Sequence, residues 1–467
     1  MEKKGYRPRI AQWAFTYQRK DFRHDVIAGF TVGSMLAPQA MAYALLAGLP
    51  PETGLYASIL PALAYALFGS SRQLAVGPVA IMSLLTASAV GTVAQEGESS
   101  YAEAAALLAL MIGAFHILMA IGRLDFLTRF LSHSVLVGFV AGAAIITGLS
   151  QTSHLLGIRT ARKSRLLDMG GELIRHLSEM HFLTFLIGVL AIAGLILLKK
   201  RAPHLPGALI VTAASAALIG VAKLEEQGVR TVGNMPEGFP SFSLPTFHTG
   251  LMADLLPSAI IITLISFMES SAISNVFARR HGYQVHQTQE LTGLGAANLV
   301  SGIVGGFPVS GGFARSAVTD DAGARTLGSS LVSAAVVTAV LLFFTSLLAP
   351  LPNAALSAIV IVSVSKLVDI KELRHIAKID SKDFATALIT LFTTLFLGVE
   401  LGLLIGVIIG FFRRSPGVQV PEHSPATPDT ALSSPHPQNP GNPTETVPST
   451  AAAPQQNPQQ TSQPVAH

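Results

Sequence analysis

Residues 305–325 read GGFPVSGGFARSAVTDDAGAR, and they lie between apolar runs that are long enough to cross a bilayer. Four glycines and one proline between positions 305 and 312 disfavour a continuous helix. From Phe313 onward the sequence can form a new helix. The stretch therefore predicts an extended approach followed by a helix N-terminus inside the membrane, where irregular backbone is tolerated only if it is buried in protein or lines a cavity.

The composition of the 467-residue chain indicates a polytopic membrane protein, because 50% of its residues are hydrophobic and only 12% are charged. The formal net charge of +4 is small, and the basic residues stand beside apolar runs, which is typical of topology signals and does not favour nucleic-acid binding. The chain contains no cysteine, which excludes disulfides and thiolate sites. Its basic N-terminus predicts that both termini are cytoplasmic, in a cell inner membrane.

Fourteen candidate membrane segments follow from the apolar runs, and the third and tenth are too short or too broken for ordinary spans. They lie near residues 26–44, 52–69, 78–94, 104–121, 128–149, 181–198, 205–222, 255–278, 286–303, 313–321, 326–349, 353–367, 383–397 and 398–413. A shift of about 230 residues lays the first seven over the last seven, which predicts an internal repeat. Because seven is odd, the second repeat is inverted.

The domain organisation follows from this count and from changes in composition. We expect a cytoplasmic N-terminal segment (1–24), a first repeat (25–222), a linker loop (223–254), a second repeat (255–413) and a C-terminal tail (414–467). From Ser415 the chain holds 12 of its 27 prolines and no lysine or arginine. Such a segment cannot bury a core and is predicted to be disordered.

An anion site is predicted where the opening stretch starts its helix. Free backbone N–H groups and the positive end of the helix dipole would meet there, and Arg315 adds a full positive charge. The first repeat offers a weaker counterpart, in which Gly77 and Pro78 can open a helix at Val79. Two half-helices meeting at the midplane are typical of inverted-repeat transporters. Tight helix packing is the alternative interpretation of these glycines.

Three further polar side chains stand inside apolar runs. Glu269 follows fourteen residues without a charge, and a carboxylate there is a candidate proton carrier if a cation such as Arg315 lies near it. A permanent Glu269–Arg315 ion pair is the alternative. Gln39 and Tyr43 are four residues apart and share a helix face, beside a Pro38 that is expected to break or kink the helix. A helix–helix hydrogen bond and an interfacial aromatic are the other interpretations of these two residues.

No metal, cofactor or enzymatic function is predicted. Asp320 and Asp321 are adjacent carboxylates that we expect to be solvated or paired with Arg325. The 14 histidines show no ligand spacing, and no combination of nucleophile, base and acid appears.

These features together resemble the SulP anion transporters, also called solute-carrier family 26. The resemblance covers about residues 20–415 and rests on PQAMAYALLAGLPPETGLYASILPALAYALFGSSRQLAVGPVAIMSLL (38–85), SFMESSAISNVFARRHGY (266–283) and GGFPVSGGFARSAVTDDAGART (305–326). Members of this family usually continue into a cytoplasmic STAS domain, whereas this sequence passes into the proline-rich tail.

The resemblance implies an all-α fold of fourteen segments in a 7+7 inverted repeat, with half-helices in segments 3 and 10. A core domain (segments 1–4 and 8–11) would move like an elevator past a gate domain (5–7 and 12–14), commonly in a homodimer. The positions that match the family's anion site are Gln39, Tyr43, Val79, Ala314 and Arg315, and Glu269 matches the acidic residue linked to proton coupling. Ala314 stands where some members have serine.

The predicted function is secondary active symport of an inorganic oxyanion, sulfate above all, with protons. Sodium-coupled bicarbonate transport, C4-dicarboxylate transport and nitrate transport are alternatives within the same fold. A passive anion exchanger or channel, and a membrane scaffold that does not transport, are alternatives of other classes.

Overall fold

The computed structural model describes residues 10–412 except 96, 125–132, 159, 161–164, 203–204, 236–237, 239–244 and 366. The predicted tail and the first nine residues of the predicted N-terminal segment lie outside these residues. The helices of the first half are α1 (Gln12–Phe15), α2 (Arg19–Ala47), α3 (Pro51–Phe68), α4 (Ala80–Val90), α5 (Ser99–Ile121), α6 (His133–Leu156), α7 (Leu166–Arg175), α8 (Phe182–Arg201) and α9 (Gly207–Ala222).

The second half continues the series and adds a strand. Its helices are α10 (Thr249–Arg280), α11 (Gln287–Ile303), α12 (Phe313–Asp321), α13 (Gly328–Phe343), α14 (Thr345–Leu348), α15 (Asn353–Val364), α16 (Ile370–Ile379), α17 (Ser381–Leu397) and α18 (Val399–Phe412). Two strands of two residues each, β1 (Val76–Gly77) and β2 (Ser310–Gly311), pair in antiparallel fashion. The predicted helical fold is confirmed, and this strand pair is an addition to the all-α prediction.

Each of the fourteen predicted segments overlaps one of these helices. The segment predicted at 326–349 is not continuous, because α13 ends at Phe343 and α14 begins at Thr345. The short helices α1, α7 and α16 were not predicted. The number of segments that cross the bilayer stays a prediction. Among the described residues, α2, α5, α6, α8 and α10 have both the length and the apolar composition to span it.

Helix α2 shows how local signals define these elements. The Gln18 and Asp21 side chains form a capping box at its start, and Gly48 ends it in the left-handed conformation at φ 84°. Pro38 was expected to break or kink the helix; a break is not found, because α2 runs without interruption from Arg19 to Ala47. Helical geometry is therefore retained on both sides of the proline, so Gln39 and Tyr43 keep their predicted spacing of one turn.

The helices form two groups that draw on both repeats. In the core group α2 packs against α3 and α13, while α11 packs against α3 and α5. In the gate group α6 packs against α15 and α17, α8 packs against α15, and α17 packs against α18. The groups meet where α2 contacts α15 and α9, and where α4 contacts α6. The core group also includes α4 and α12, which pack against α2, and α10, which packs against α5. The candidate site lies in this group.

Glycines allow the closest helix contacts within each group. A Cβ atom on Gly54 would lie 2.1 Å from the carbonyl oxygen of Ala40, at the crossing of α3 and α2. A Cβ atom on Gly138 would lie 2.1 Å from the carbonyl oxygen of Ala387, at the crossing of α6 and α17. Neither distance is compatible with a side chain, so these positions require glycine, as small residues generally permit close packing in membranes.

Candidate anion site

The two half-helices start side by side at the strand pair. Val76 lies opposite Gly311, and Gly77 lies opposite Ser310. Helix α4 begins three residues after β1 and α12 begins two residues after β2. Neither helix has a side-chain cap, so the N–H groups of both first turns have no capping partner. Two positive helix ends therefore converge on one region, as the opening stretch predicted.

Val79 and Gly312 are the residues that precede the two helices. Val79 is buried and extended, at φ −136° and ψ 152°. A Cβ atom on Gly312 would lie 3.1 Å from Cγ1 of Val79 and 3.2 Å from Nε of Arg315. The half-helix starts are thus in near contact, and glycine at 312 leaves the space that the Arg315 side chain occupies.

Arg315 lies in the first turn of α12 and is only 2% exposed. Its Nη1 donates to the carbonyl oxygen of Pro78 at 2.6 Å, and its Nη2 donates to that of Ala75 at 3.4 Å. Both acceptors belong to the chain around β1, in the other repeat. Within the described part of the chain, no carboxylate oxygen lies within 4.0 Å of the guanidinium. The site therefore holds a buried positive charge without an ion-pair partner.

Glu269 lies near this charge but does not pair with it. It is half-buried in α10, and its Oε2 atom is inaccessible and has no hydrogen-bond partner in the part of the chain that the structure describes. Glu269 and Arg315 are close enough to interact electrostatically. The structure thus shows the two groups as separate neighbours, which disagrees with the alternative of a permanent ion pair.

Gln39 and Tyr43 face the same region from α2. Nε2 of Gln39 donates to the Tyr43 hydroxyl at 2.9 Å, and both side chains are buried. Oε1 of Gln39 is also buried and has no partner. Tyr43 interacts electrostatically with Arg315 and Glu269, and Ser363 of α15 lies near its hydroxyl group. These contacts bring a gate helix to the edge of the site.

Ala314, the last of the predicted positions, is exposed beside Arg315 in the first turn of α12. Its neighbour Phe313 is 53% exposed, and its ring lies tilted beside that of Phe277, with the ring centroids 6.1 Å apart. The first two residues of α12 are therefore exposed, whereas Arg315 is buried.

Buried side chains that sequence analysis missed hold the extended approach to α12. Asn298 of α11 accepts from the Val309 N–H at 2.9 Å and donates to the Val309 carbonyl at 3.0 Å. Ser301 donates to the Phe307 carbonyl at 2.7 Å, and Ser270 of α10 accepts from the Gly311 N–H at 3.0 Å. These bonds replace the helical hydrogen bonds that the glycine-rich segment cannot make. The only signal for these three side chains in the sequence was that each is a polar residue within an apolar run.

Glu290 is a second missed residue, and it is fully buried near the start of α11. Its carboxylate accepts from the Tyr65 hydroxyl at 2.7 Å, from both the N–H and the hydroxyl of Ser70, from the Ser71 N–H at 3.0 Å and from Ser274 at 3.2 Å. Five donors compensate the burial of one charge. The turn that leads from α3 to β1 is thereby tied to α11, the helix that also holds Phe307 and Val309 ahead of β2.

Asp320, at the end of α12, pairs with Arg280 at 2.6 Å and with His281. Arg325, its expected partner, instead lies 3.4 Å from Asp21. For Asp320 the expectation of a solvated group or a pair with Arg325 is therefore wrong, because α10 ends beside α12 and supplies the cation. Asp321 is exposed, which agrees with the expectation that it is solvated.

Comparison with known proteins gives the family. The family model described as the sulfate permease family matches residues 22–390. The chain is 39% identical over 393 residues to the chloroplastic sulfate transporter 4.1 of Arabidopsis thaliana, covering 82% of this chain and 57% of that protein. It is 36% identical over 390 residues to a probable sulfate transporter of Mycobacterium tuberculosis, covering 84% of this chain and 69% of that protein. The chain belongs to the sulfate permease family.

Solved structures show the same fold. The likeness to murine Solute Carrier 26 family member A9 in the inward-facing state has a TM-score of 0.80 at 23% identity, and covers 86% of this chain and 69% of that one. The transmembrane domain of the cyanobacterial bicarbonate transporter BicA gives a TM-score of 0.73 at 20% identity, and covers 84% of this chain and 98% of that one. The chain is thus a multi-pass membrane protein that spans 57% of the length of its Arabidopsis relative.

Proposed function

We propose that this protein is a secondary active transporter, not an enzyme, which carries an inorganic oxyanion together with one or more protons. Among inorganic oxyanions, we propose sulfate as the substrate. The observation that carries the proposal is Arg315, a buried cation without a carboxylate partner, placed between two uncapped helix starts. A buried charge is costly unless it is compensated, so the site favours an anionic occupant.

The chemistry of the site suits an oxyanion. Sulfate oxygens accept hydrogen bonds only, and the region offers guanidinium N–H groups, backbone N–H groups at two helix starts and the amide of Gln39. In this proposal Val79 and Ala314 contribute backbone groups at the two helix starts and shape the site with their apolar side chains. Tyr43 contributes its hydroxyl group. The printed names of the relatives as sulfate transporters support sulfate over other anions.

Glu269 is the proposed proton carrier. When no anion is bound, the negative charge of the Glu269 carboxylate would balance the positive charge of Arg315, with which it interacts electrostatically. When an anion binds, that balance is supplied by the substrate, and Glu269 is better accommodated with a proton. Anion and proton would then bind together, which is the requirement for symport.

We further propose an elevator motion of the core group relative to the gate group. The site residues lie on α2, α10 and α12 and at the start of α4, which all belong to the core group. Arg315 bonds to the carbonyl oxygens of Ala75 and Pro78, which flank β1 within the same group. The core group could therefore move as a unit with the anion bound. A homodimer in the cell inner membrane, with cytoplasmic termini, completes the proposal.

Uptake of radiolabelled sulfate into proteoliposomes tests this function. Wild-type protein should accumulate sulfate faster when the outside is more acidic, and Arg315→Ala should abolish uptake. Arg279→Ala, at an exposed position at the end of α10, serves as the control. Uptake that ignores the proton gradient but requires sodium, or that prefers bicarbonate, nitrate or a C4-dicarboxylate in competition, would contradict sulfate–proton symport. Anion current that reverses at the anion's own Nernst potential would indicate a passive pathway.

A further inference from the structure

A small cavity adjoins Arg315. It lies between α2, α3, β1, α12 and α13, and we call it the serine cavity. Its polar lining consists of Arg315, Thr319, Ser329, Ser330 and Ser333. Its lining includes none of the other proposed anion-site residues, and it lacks Glu269 as well. The serine cavity is therefore a separate compartment that shares the guanidinium with the anion site.

The guanidinium has donors to spare for this cavity. Arginine carries five N–H donors, and the Arg315 side chain donates two hydrogen bonds, both to neutral carbonyl oxygens. Those bonds satisfy donors but leave the positive charge uncompensated. Three of its five N–H groups make no hydrogen bond to the described residues and are available to an occupant.

Ser333 supplies a second donor. It is 5% exposed, and its Oγ atom has no hydrogen-bond partner among the described residues. Two other hydroxyl groups that line the cavity already have acceptors. Thr319 donates to the Arg315 carbonyl at 2.9 Å, and Ser329 donates to the Thr326 carbonyl at 3.0 Å. An unpartnered buried hydroxyl is costly, so the Ser333 hydroxyl points to a missing acceptor.

The size of the serine cavity limits the occupant. The serine cavity has a volume of about 20 Å³, measured as the space open to the centre of a water molecule. One water needs roughly 10–15 Å³ by the same measure, so one or two small particles fit. A tetrahedral oxyanion has five heavy atoms and does not fit. A single negative ion matches the volume, the hydrogen-bond donors and the uncompensated charge, whereas a water molecule matches only the first two.

We propose that the serine cavity binds one monoatomic anion of the halide class, held by the guanidinium of Arg315 and the hydroxyl of Ser333. The halide would balance the buried charge when the oxyanion site is empty. Binding of the halide does not depend on the transport activity proposed above, so either proposal can fail without the other.

Bromide binding to the full chain in lipid nanodiscs tests this site. The thermal unfolding midpoint is measured while bromide replaces gluconate at constant ionic strength, without sulfate. The midpoint of the wild type should rise in a saturable way, because a ligand that binds only the folded state stabilises it. Ser333→Val, which fills the cavity, and Ser333→Ala, which removes only the hydroxyl, should each weaken bromide affinity about tenfold or more.

Two controls separate the serine cavity from the oxyanion site. Thr338→Val alters a hydroxyl on α13 that donates to the Ala334 carbonyl and does not line the cavity, so bromide affinity should stay at the wild-type value. Gln39→Ala should also keep the bromide response. No bromide-specific rise in the wild type would mean that the cavity holds water, and would overturn the proposal. A response that survives in both Ser333 variants but disappears in Gln39→Ala would place the halide in the oxyanion site, and would overturn it equally.

Discussion

Arg315 donates a hydrogen bond of 2.6 Å to the carbonyl oxygen of Pro78, a residue 237 positions earlier in the chain. This bond joins the start of the half-helix α12 to the backbone at the start of the half-helix α4. Each half of the chain supplies one of these helix ends, and Arg315 belongs to the second. The position of the guanidinium therefore depends on backbone that the first half of the chain contributes.

Glu269→Gln should separate anion transport from proton coupling. Glutamine keeps the shape of the side chain but cannot carry a proton on a carboxylate, so sulfate exchange should continue while proton-driven accumulation falls to the level without a gradient. Sulfate counterflow and gradient-driven uptake, measured in the same proteoliposomes, check the two parts. Full proton-driven accumulation by the variant would rule out Glu269 as the proton carrier.

Gly312→Ala should displace Arg315. The new Cβ would lie 3.2 Å from both Nε and Nη2 of Arg315 and 3.1 Å from Val79, so the guanidinium must move by a few tenths of an ångström. We expect sulfate affinity about tenfold weaker, because charge-assisted hydrogen bonds depend on geometry. Gly250→Ala is the matched control, since no atom lies within 4 Å of its new Cβ. Equal sulfate affinities of both variants by equilibrium binding would contradict this role.

Asn298→Ala should destabilise the approach to α12. The Val309 N–H and carbonyl groups would both lose their partner in a buried setting, at a cost of about 2–4 kcal/mol in the free energy of unfolding. Denaturant unfolding in detergent measures this value. Asn275→Ala, which removes a single longer contact of 3.3 Å with Gln287, should cost less than about 1 kcal/mol. An Asn298 variant as stable as the Asn275 variant would refute the assigned support.

Glu290→Gln should weaken the turn between α3 and β1. An amide has only one accepting oxygen, so one set of donors would face an N–H group. That set is either Tyr65 and Ser274, which now reach Oε2, or the Ser70 and Ser71 donors, which now reach Oε1. The expected loss is about 2–4 kcal/mol in the free energy of unfolding. Glu98→Gln, at an exposed position, should change it by less than about 0.5 kcal/mol. A wild-type value for Glu290→Gln would show that its charge is dispensable.

Local chemistry made several elements predictable. The half-helix predicted at 313–321 is α12 with the same bounds, because glycine and proline end regular structure wherever they cluster. The first half-helix, predicted near 78–94, is the shorter α4, since the capping signals there are weak. The break between α13 and α14 within 326–349 was missed, because no glycine or proline lies at Phe344 to mark it.

The sequence by itself determined the membrane class, the apolar helices, the half-helix at Phe313 and the residues around which an anion site could form. These follow from apolar length, turn chemistry and charge, which act over a few neighbouring residues. Only the tertiary structure decided that Arg315 bonds to Pro78 and leaves Glu269 unpaired, and that Asn298 and Glu290 hold the two approaches. Those contacts join residues far apart in the chain, and a buried polar group takes whichever partner the packed helices place within hydrogen-bond reach.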